Sequence, residues 1–549
     1  MMRVRAGLTQ VVLTLLLGAL ATACSGGGGM NSTSSAPPPS GGGTPPPPAT
    51  ADFVTYKNDI SRTGQNVSES VLTPANVNSS SFGLLRFLST DGKVDAQPLY
   101  LSALTVQGAT HNVVFVPTEN DTVYAFDADS GAVLWKVSLL GSGESPSDMV
   151  DACDQTTPTI GVTATPVIDR AAGAHGTLFV VSMSKTTATA TYHQRLHALD
   201  VTTGAELLNG PAEISASYPI VGGTMTFAPE AYQERAALLL SQGTIYTSFT
   251  SHCDIAPYSG WVIAYSESNL AQTAVFNAAP NSGGSGPSIW MSGGGPAADA
   301  AGNVYLLTAN GAFETTLDAN GFPNQSDYGN SFLKLASSGG TLTVADYFTM
   351  YNEMTESQND QDLGSGGILL LPDLTDATNT TRHLAIGAGK DGSLYVVDRD
   401  NMGKYDSQTN NIWQEIDGSL GGGIWSTPAY YNQTVYYGPT NGPLEAFAVS
   451  NAKLALASST AMSFAYPGTA PAVSANGSSG GIVWAHENSS PAVLHAFDAS
   501  DLSHELYNSS QAANGRDQFG AGNKFITPTI IGGKVFVGTQ NGVAVFGLL

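Results

Sequence analysis

The stretch "DTVYAFDADSGAVLWKVSL" (Asp121–Leu139) decides the fold, because it holds one strand, a tight turn and a second strand that carries Trp135. Short apolar runs bounded by turn residues predict β-strands. Asp127 and Gly131 suit the turn, since glycine accepts a positive φ at little cost. Ala125 is small enough to let Trp135 lie across a neighbouring repeat, so the stretch predicts a β-hairpin that docks onto the next unit.

This hairpin recurs along the chain in looser copies. Each copy has a strand, a polar turn and a second strand, and most copies follow another strand pair such as "TPTIIGGKVFVG". Units of four strands in roughly 45–60 residues are typical of β-propeller blades. The further copies are Gln194–Leu207, Gly260–Phe276, Asn330–Val344, Gly392–Tyr405, Gly442–Leu456 and Ala492–Leu506.

The last unit, Asn523–Leu549, is incomplete because it stops after its third strand. An apolar segment near the other end, Phe82–Ser89, is the candidate for the missing fourth strand. Pairing the two segments closes the ring and removes two exposed sheet edges. The sequence therefore predicts one all-β domain over residues 51–549, an eight-bladed propeller of four-stranded antiparallel blades, with seven blades as the fallback.

The N-terminal region has the pattern of an export signal. Residues 1–24 combine Arg3 and Arg5, an apolar run and the small-residue site "ALATAC". This site is similar to a bacterial lipobox, in which Cys24 is lipidated, and ordinary secretion with cleavage nearby is the alternative. Residues 25–50 are rich in Gly, Ser and Pro and predict a disordered tether. We expect a monomer in the bacterial cell envelope, either secreted or touching a membrane only through its lipid.

Charge and cysteine usage narrow the possible functions. Acidic residues outnumber basic ones 44 to 20, a formal charge of −24, and such a surface repels nucleic acid. Besides Cys24 the chain has only Cys153 and Cys253. In an oxidising compartment these two are expected to form a disulfide, and two buried free thiols are the alternative.

The repeats resemble the tryptophan-docking repeats of quinoprotein-type propellers. That superfamily contains pyrroloquinoline quinone (PQQ) alcohol dehydrogenases and the outer-membrane assembly lipoprotein of the BamB kind, and the resemblance covers nearly all of the mature chain. In a propeller, the loops that join the second and third strands gather around the central channel and form a funnel, where ligands usually bind. Here those loops read "TEND", "SHCD", "ANGAFE", "GKDG", "PTNG", "HENS" and "TQNG".

The same resemblance implies a set of site residues. "HCDIAPYSGWVIAY" places Asp254, and "NVYLLTANGAFE" places Asn310, at the two Ca²⁺ ligand positions. "ESQNDQDLGSGG" puts Asp362 at the catalytic base, and "GKDGSLYVVDRDN" makes Lys390 the basic residue that contacts the quinone. "SIWMSGGGPAAD" supplies Trp290 as the floor under the quinone ring. Hard cations prefer such carboxylate and amide oxygens.

Two functions are compatible with these patterns, which favour the first, and the second is the alternative. The first is a binding or assembly scaffold in the cell envelope, which requires no cofactor and whose partner is an unknown envelope protein or a small molecule in the funnel. The second is a PQQ- and Ca²⁺-dependent dehydrogenase that oxidises an alcohol or a sugar. A third class, a carbohydrate-processing propeller, would need a paired-carboxylate motif that the sequence does not display.

Overall fold

The structure is a computed structural model that describes residues 52–148, 156, 158–252, 254–284, 286–338 and 341–549. Residues 1–51, which contain the proposed signal, tether and Cys24, lie outside the described residues. Cys153 and Cys253 also lie outside them. Lipidation at Cys24 and the disulfide between the other two cysteines therefore stay predictions.

Eight antiparallel sheets follow one another along the chain, so the predicted eight-bladed propeller is confirmed and the seven-bladed fallback is wrong. In blades 1 to 7 the strands pair in chain order from the first strand to the fourth, whereas the fourth strand of blade 8 comes from the start of the propeller. The short strand Gln65–Asn66 adds to blade 7 in parallel, beside its first strand. Blade 1 consists of Leu99–Val106, Ala109–Pro117, Thr122–Asp127 and Val133–Ser138, and blade 2 of Glu144–Pro146 with Val167–Asp169, Thr177–Thr186, Tyr192–Asp200 and Ala212–Glu213. Blade 3 consists of Tyr232–Glu234 with Leu239–Ser241, Thr244–Ser251, Trp261–Ser266 and Gln272–Asn277, and blade 4 of Ala297–Ala298, Val304–Leu307, Ser331–Ser338 and Thr341–Thr349. Blade 5 consists of Leu369–Leu370, Leu384–Ala388, Leu394–Asp398 and Gln414–Ile416, and blade 6 of Ala429–Tyr431, Thr434–Tyr437, Gly442–Ser450 and Lys453–Phe464. Blade 7 consists of Ala472–Asn476, Ser479–Glu487, Val493–Asp498 and Asp501–Asn508, and blade 8 of Thr529–Ile531, Lys534–Thr539, Gly542–Leu548 and Phe82–Ser89.

A few elements stand outside the blades. Two small hairpins are formed by Ser217–Ile220 with Gly223–Thr226 and by Leu374–Thr375 with Thr381–Arg382. Within the described residues there is one α-helix, Glu353–Gln358, between blades 4 and 5. Short 3₁₀ turns lie at Tyr56–Asn58, Pro229–Ala231, Met291–Gly293, Leu363–Ser365 and Ala513–Gly515.

The ring closes as the sequence predicts, because Phe82–Ser89 pairs with Gly542–Leu548 as the fourth strand of blade 8. Phe82 is fully buried, and its ring lies 5.4 Å from that of Trp484 and 5.0 Å from that of Tyr507, both in blade 7. One strand from the start of the propeller thus fills the gap at its end and packs against the preceding blade. Closure removes the free edges that an open sheet would expose.

The opening hairpin forms the third and fourth strands of blade 1. Its turn is stabilised by Asp127, whose carboxylate accepts hydrogen bonds from the backbone and hydroxyl of Ser130. The indole of Trp135 is nearly buried, and its Nε1–H donates to the carbonyl of Val201 in blade 2 at 3.0 Å. A Cβ at Gly204 would come within 2.8 Å of the Trp135 ring. The predicted docking of Trp135 onto a neighbouring blade is confirmed.

An element that the sequence patterns did not predict runs through the centre of the ring. The stretch 53–66 hydrogen-bonds to residues in or next to the first strand of every blade, so it fills the axial channel at this level. The contacted residues, in order from blade 1 to blade 8, are Tyr100, Ile168, Leu238, Ala298, Leu370, Tyr430, Val473 and Ile530.

Two basic side chains of this axial segment are fully buried. Arg62 donates to the carbonyls of Pro296 and Leu238, and the Lys57 ammonium donates to the carbonyls of Pro428 and Pro471. Burial lowers the pKa of Lys57 to about 7. Carbonyl oxygens at the inner ends of the blades therefore hold the segment in place.

Candidate functional site

The seven loops predicted to form the funnel all connect a second strand to a third strand. Residues from five of these loops line two cavities at the ends of the blades. The cavity on the side of blades 3 to 7, which we call the tryptophan cavity, has a volume of about 320 Å³. It is lined by Asp254, Trp290, Ser292, Asp360, Asp362, Ser365, Lys390, Trp425, Tyr466 and Phe525.

All five residues predicted for the quinoprotein site come together at this cavity. Asp254, Trp290, Asp362 and Lys390 line it. Asn310 contacts its wall, because its backbone N–H donates to Asp362 Oδ1 at 2.7 Å and its side-chain amide donates to Asp360 Oδ1 at 3.0 Å. The loops of three blades and two linkers between blades supply these residues. The roles assigned to them stay predictions, while their proximity is a property of the structure.

Lys390 forms the electrostatic centre of the cavity. Its ammonium lies 2.5 Å from Asp362 Oδ2 and 2.8 Å from Asp360 Oδ1. Burial by itself lowers the pKa of Lys390, but the charges of Asp362 and Asp360 outweigh it and the pKa is raised, so the amine stays protonated. Burial raises the pKa of Asp362, and the Lys390 charge opposes that rise. Asp362 is thus a carboxylate in a poorly hydrated position with a cation beside it.

Close backbone packing positions Asp362 and Lys390. The backbone N–H of Lys390 donates to the carbonyl of Asp362 at 2.9 Å. A Cβ at Gly389 would lie 2.3 Å from that carbonyl oxygen, and one at Gly364 would lie 2.5 Å from the backbone of blade 4. Only glycine permits these approaches. The glycines of "GKDG" and "DLGSGG" therefore let two loops from different parts of the ring interlock.

Asp254 also lines the cavity, in the loop after the second strand of blade 3. Its Oδ1 accepts a hydrogen bond from the Ser251 hydroxyl at 2.7 Å, and the side chain is otherwise exposed to the cavity. Burial and then the negative charge of Asp254 and of Asp362 raise the pKa of Tyr258 well above its ordinary value. The Tyr258 hydroxyl therefore stays protonated near these carboxylates and can donate a hydrogen bond.

Backbone strain is concentrated around the tryptophan cavity. Four of its ten lining residues have a positive φ although none is glycine: Asp254 (53°), Ser292 (46°), Asp360 (57°) and Phe525 (67°). Such conformations are unfavourable for residues with a Cβ, above all for aromatic ones. They persist only where surrounding contacts enforce them, and they concentrate at binding and catalytic sites.

The sequence did not identify several residues of this cavity. Asp360 lies two positions before Asp362 within a stretch that was already singled out. Trp425, in "GGGIWSTP", occupies the same kind of linker before a first strand as Trp290 in "SIWMSGGGP", so that likeness could have revealed it. Tyr466 and Phe525 have no comparable pattern, because each lies in an irregular linker between blades.

The donor set of the cavity fits a hard cation and a flat aromatic ligand. Asp254 and Asn310 offer carboxylate and amide oxygens, the ligands that Ca²⁺ prefers. Among the described residues no three His, Cys, Asp or Glu side chains form a ready metal cluster, so water or ligand oxygens would complete the shell. The cavity has two indole rings in its lining, and its volume is at the lower end of the range of about 300–1,000 Å³ that is usual for ligand pockets. Both features suit one planar cofactor.

Comparison with known families agrees with this fold. Residues 58–160 and 119–245 match the family described as "Outer membrane protein assembly factor BamB". The matched stretches extend from the axial segment to the second strand of blade 3. They cover the hairpin with Trp135. No curated protein matches the chain.

Solved structures of quinoprotein dehydrogenases share the architecture. The quinohemoprotein alcohol dehydrogenases from Comamonas testosteroni and from Pseudomonas putida HK5 each have 13% identity and a TM-score of 0.58, with 90% of this chain and 80% of theirs covered. A europium-containing methanol dehydrogenase has 14% identity and a TM-score of 0.54, with 90% of this chain and 98% of that one covered. At such identities the likeness concerns the fold.

No helix in the described part of the chain has the length and apolar character needed to span a membrane.

Proposed function

We propose that this chain, a PQQ-like β-propeller related to quinoprotein dehydrogenases, is itself a dehydrogenase that oxidises an alcohol or a sugar in the tryptophan cavity. One observation carries the proposal. Five residues that the sequence assigns to a quinoprotein site, spread from position 254 to position 390, meet at one cavity.

The cavity residues divide into those that bind and those that move a proton. Asp254 and Asn310 would hold a divalent cation, and Trp290 would lie against the face of PQQ. When bound, the quinone supplies the acceptor for the two electrons that leave the alcohol carbon. The Lys390 ammonium would lie near the quinone oxygens and orient the ring.

Asp362 would act as the general base on the substrate hydroxyl. Its carboxylate is fixed at both oxygens, by the Asn310 N–H and by the Lys390 ammonium, so its orientation is set before substrate binds. Burial raises its pKa, and a raised pKa makes a carboxylate a stronger base. The proton from the substrate hydroxyl would pass to the Asp362 carboxylate. The Lys390 ammonium would remain beside Asp362 and stabilise its negative charge before the transfer.

Reconstitution tests the proposal directly. Purified protein is incubated with PQQ and Ca²⁺, quinone binding is followed by absorbance, and dye reduction is measured across a panel of alcohols and sugars. We expect Asp362→Asn to keep quinone binding and to lower the rate by about 10²–10⁴, the usual contribution of a general base. Asp254→Ala should remove a Ca²⁺ ligand, so that adding Ca²⁺ no longer raises the rate of dye reduction.

A matched control is Asp373→Asn, because Asp373 is a well-exposed carboxylate in the linker after the first strand of blade 5. It should bind and turn over as the wild type does. If the wild type neither binds PQQ nor reduces the dye with any substrate, the enzyme proposal is overturned. Equal loss of rate in the control and in Asp362→Asn would also contradict it.

As a second candidate we propose an envelope scaffold, and the match of residues 58–245 to the BamB family favours it. In this case the chain would be exported, anchored through Cys24 and bound to an unidentified envelope protein, without a cofactor. Cys24→Ser should then release the protein from the membrane fraction. A scaffold would also keep its cellular role in Asp362→Asn, whereas the enzyme would not.

A further inference from the structure

A second cavity lies on the other side of the axis, at the ends of blades 1, 2, 3, 7 and 8. This arginine cavity has a volume of about 520 Å³ and shares no lining residue with the tryptophan cavity, which it adjoins through Arg235 on Phe525 and Lys524 on Tyr466. Its charged lining consists of Asp91, Lys93, Asp95, Arg235 and Lys524. Four carboxamide side chains complete the polar wall.

Arg235 is the side chain whose bonding is incomplete. It is only 4% exposed, yet its Nε–H has no hydrogen-bond acceptor among the described residues. Its closest carboxylate contact is with Asp95, at 3.7 Å, which is too long for a hydrogen bond. The guanidinium lies over the ring of Phe525 at 4.7 Å, and that stacking fixes its plane. A buried guanidinium with unused donors is costly unless a ligand accepts from it.

The charges around Arg235 leave an excess of positive charge. Asp95 already has a partner, because Lys93 lies 2.9 Å from it. The neighbouring Glu119 does not offset the excess, since burial first and then the Asp95 charge raise its pKa to about 8. Lys524 contacts the ring of Tyr466 and has no carboxylate partner within the described part of the chain. In a chain with a net charge of −24, such a basic lining is a local exception.

We propose that Arg235, supported by Lys93 and Lys524, is the receptor for the carboxylate group of a small polyhydroxylated acid. A planar guanidinium binds a planar carboxylate through two parallel hydrogen bonds, and stacking on Phe525 presents it in one fixed orientation. The carboxamides are suited to hydroxyl groups, which both donate and accept. Asp91 and Asp95 disfavour a doubly charged phosphate. The proposal goes beyond the dehydrogenase function and needs no quinone.

Binding of three matched sugars tests this site. The probes are glucuronate, glucose and glucose 6-phosphate, titrated calorimetrically into the full chain after EDTA treatment and without PQQ. We expect glucuronate to bind about tenfold or more tightly than glucose, which corresponds to one charge-assisted contact. Raising the salt concentration should weaken glucuronate binding and leave glucose unaffected.

Variants identify the residue responsible. Arg235→Lys keeps the charge but loses the planar fork, and we expect glucuronate affinity to fall by about tenfold. Lys524→Gln, at a less buried position, should weaken it by about threefold at low salt and cannot be confused with unfolding. Arg86→Lys, on the fourth strand of blade 8, is the matched control and should bind as the wild type does.

Three results would overturn the proposal. Equal affinities for glucuronate and glucose would remove the carboxylate receptor, and unchanged glucuronate binding in both Arg235→Lys and Lys524→Gln would place any receptor elsewhere. Tighter binding of glucose 6-phosphate would show a phosphate site. Because EDTA and the absence of PQQ exclude the reaction, these outcomes are independent of whether the dehydrogenase proposal holds.

Discussion

Replacing Lys390 with Met tests the ion pair at the centre of the tryptophan cavity. The variant leaves Asp362, whose side chain is only 10% exposed, without its counterion at 2.5 Å. Breaking a fully buried pair costs about 3–5 kcal/mol, and since Lys390 is 20% exposed we expect about 2–3 kcal/mol near neutral pH. The measurement is the midpoint of urea unfolding at an unchanged m-value.

The same variant has a predicted pH dependence. Burial raises the folded-state pKa of Asp362, and loss of the Lys390 charge raises it further. An acid whose folded pKa lies above its unfolded pKa loses stability as pH rises between the two values. The destabilisation should therefore be largest near neutral pH and shrink as the pH falls, until it disappears below about 4, where the carboxyl becomes protonated in both states.

Two controls separate the pair from general damage. Lys136→Met removes a lysine that is 46% exposed and lies 3.0 Å from Asp91, so it should cost about 1 kcal/mol or less. The double variant Lys390→Met, Asp362→Asn should be more stable than the sum of the single losses by roughly 1–3 kcal/mol. Additive losses, or a loss that does not change with pH, would refute the pairing.

Three further predictions concern the ring. Trp135→Phe removes the hydrogen bond to Val201 and part of the indole packing, so we expect a loss of at least roughly 1–2 kcal/mol in urea unfolding, and no change would contradict blade docking. Phe82→Ala empties a fully buried site at the ring closure and should cost about 3–5 kcal/mol, whereas a loss below about 1 kcal/mol would mean that the closing strand is dispensable. Burial lowers the folded-state pKa of Lys57 to about 7 from an ordinary 10.5, so between these pH values the unfolded chain binds more protons than the folded chain. The stability of the wild type relative to Lys57→Met should therefore rise with pH across that window. A constant difference in unfolding free energy would show that the ammonium is not desolvated.

The blades could be predicted because their causes are local. In the first hairpin the apolar strands, the turn residues Asp127 and Gly131 and the docking Trp135 lie within a few residues of one another. The closing strand Phe82–Ser89 was also predictable, since an incomplete last blade and an isolated apolar segment leave one pairing that removes both free edges.

For the candidate site, the sequence predicted only the five residues that the resemblance to quinoprotein propellers implies. The five residues that it named lie at one cavity, because their order along the chain follows the order of the blades, and their roles stay predictions. It did not name Trp425 or Phe525, which reach the cavity from linkers whose course depends on the packing of two blades at once. Nor did any pattern distinguish Arg235 from an ordinary strand residue.

The sequence by itself determined the repeat, the number of blades and the way the ring closes, since strand periodicity and turn chemistry act over short distances. Only the tertiary structure decided what fills the centre. The axial segment 53–66 has no periodicity, and it is held by backbone N–H groups and carbonyls from all eight blades, which exist as a set only after the ring has closed. The two cavities arise in the same way, because loops far apart in sequence become neighbours only on a closed ring.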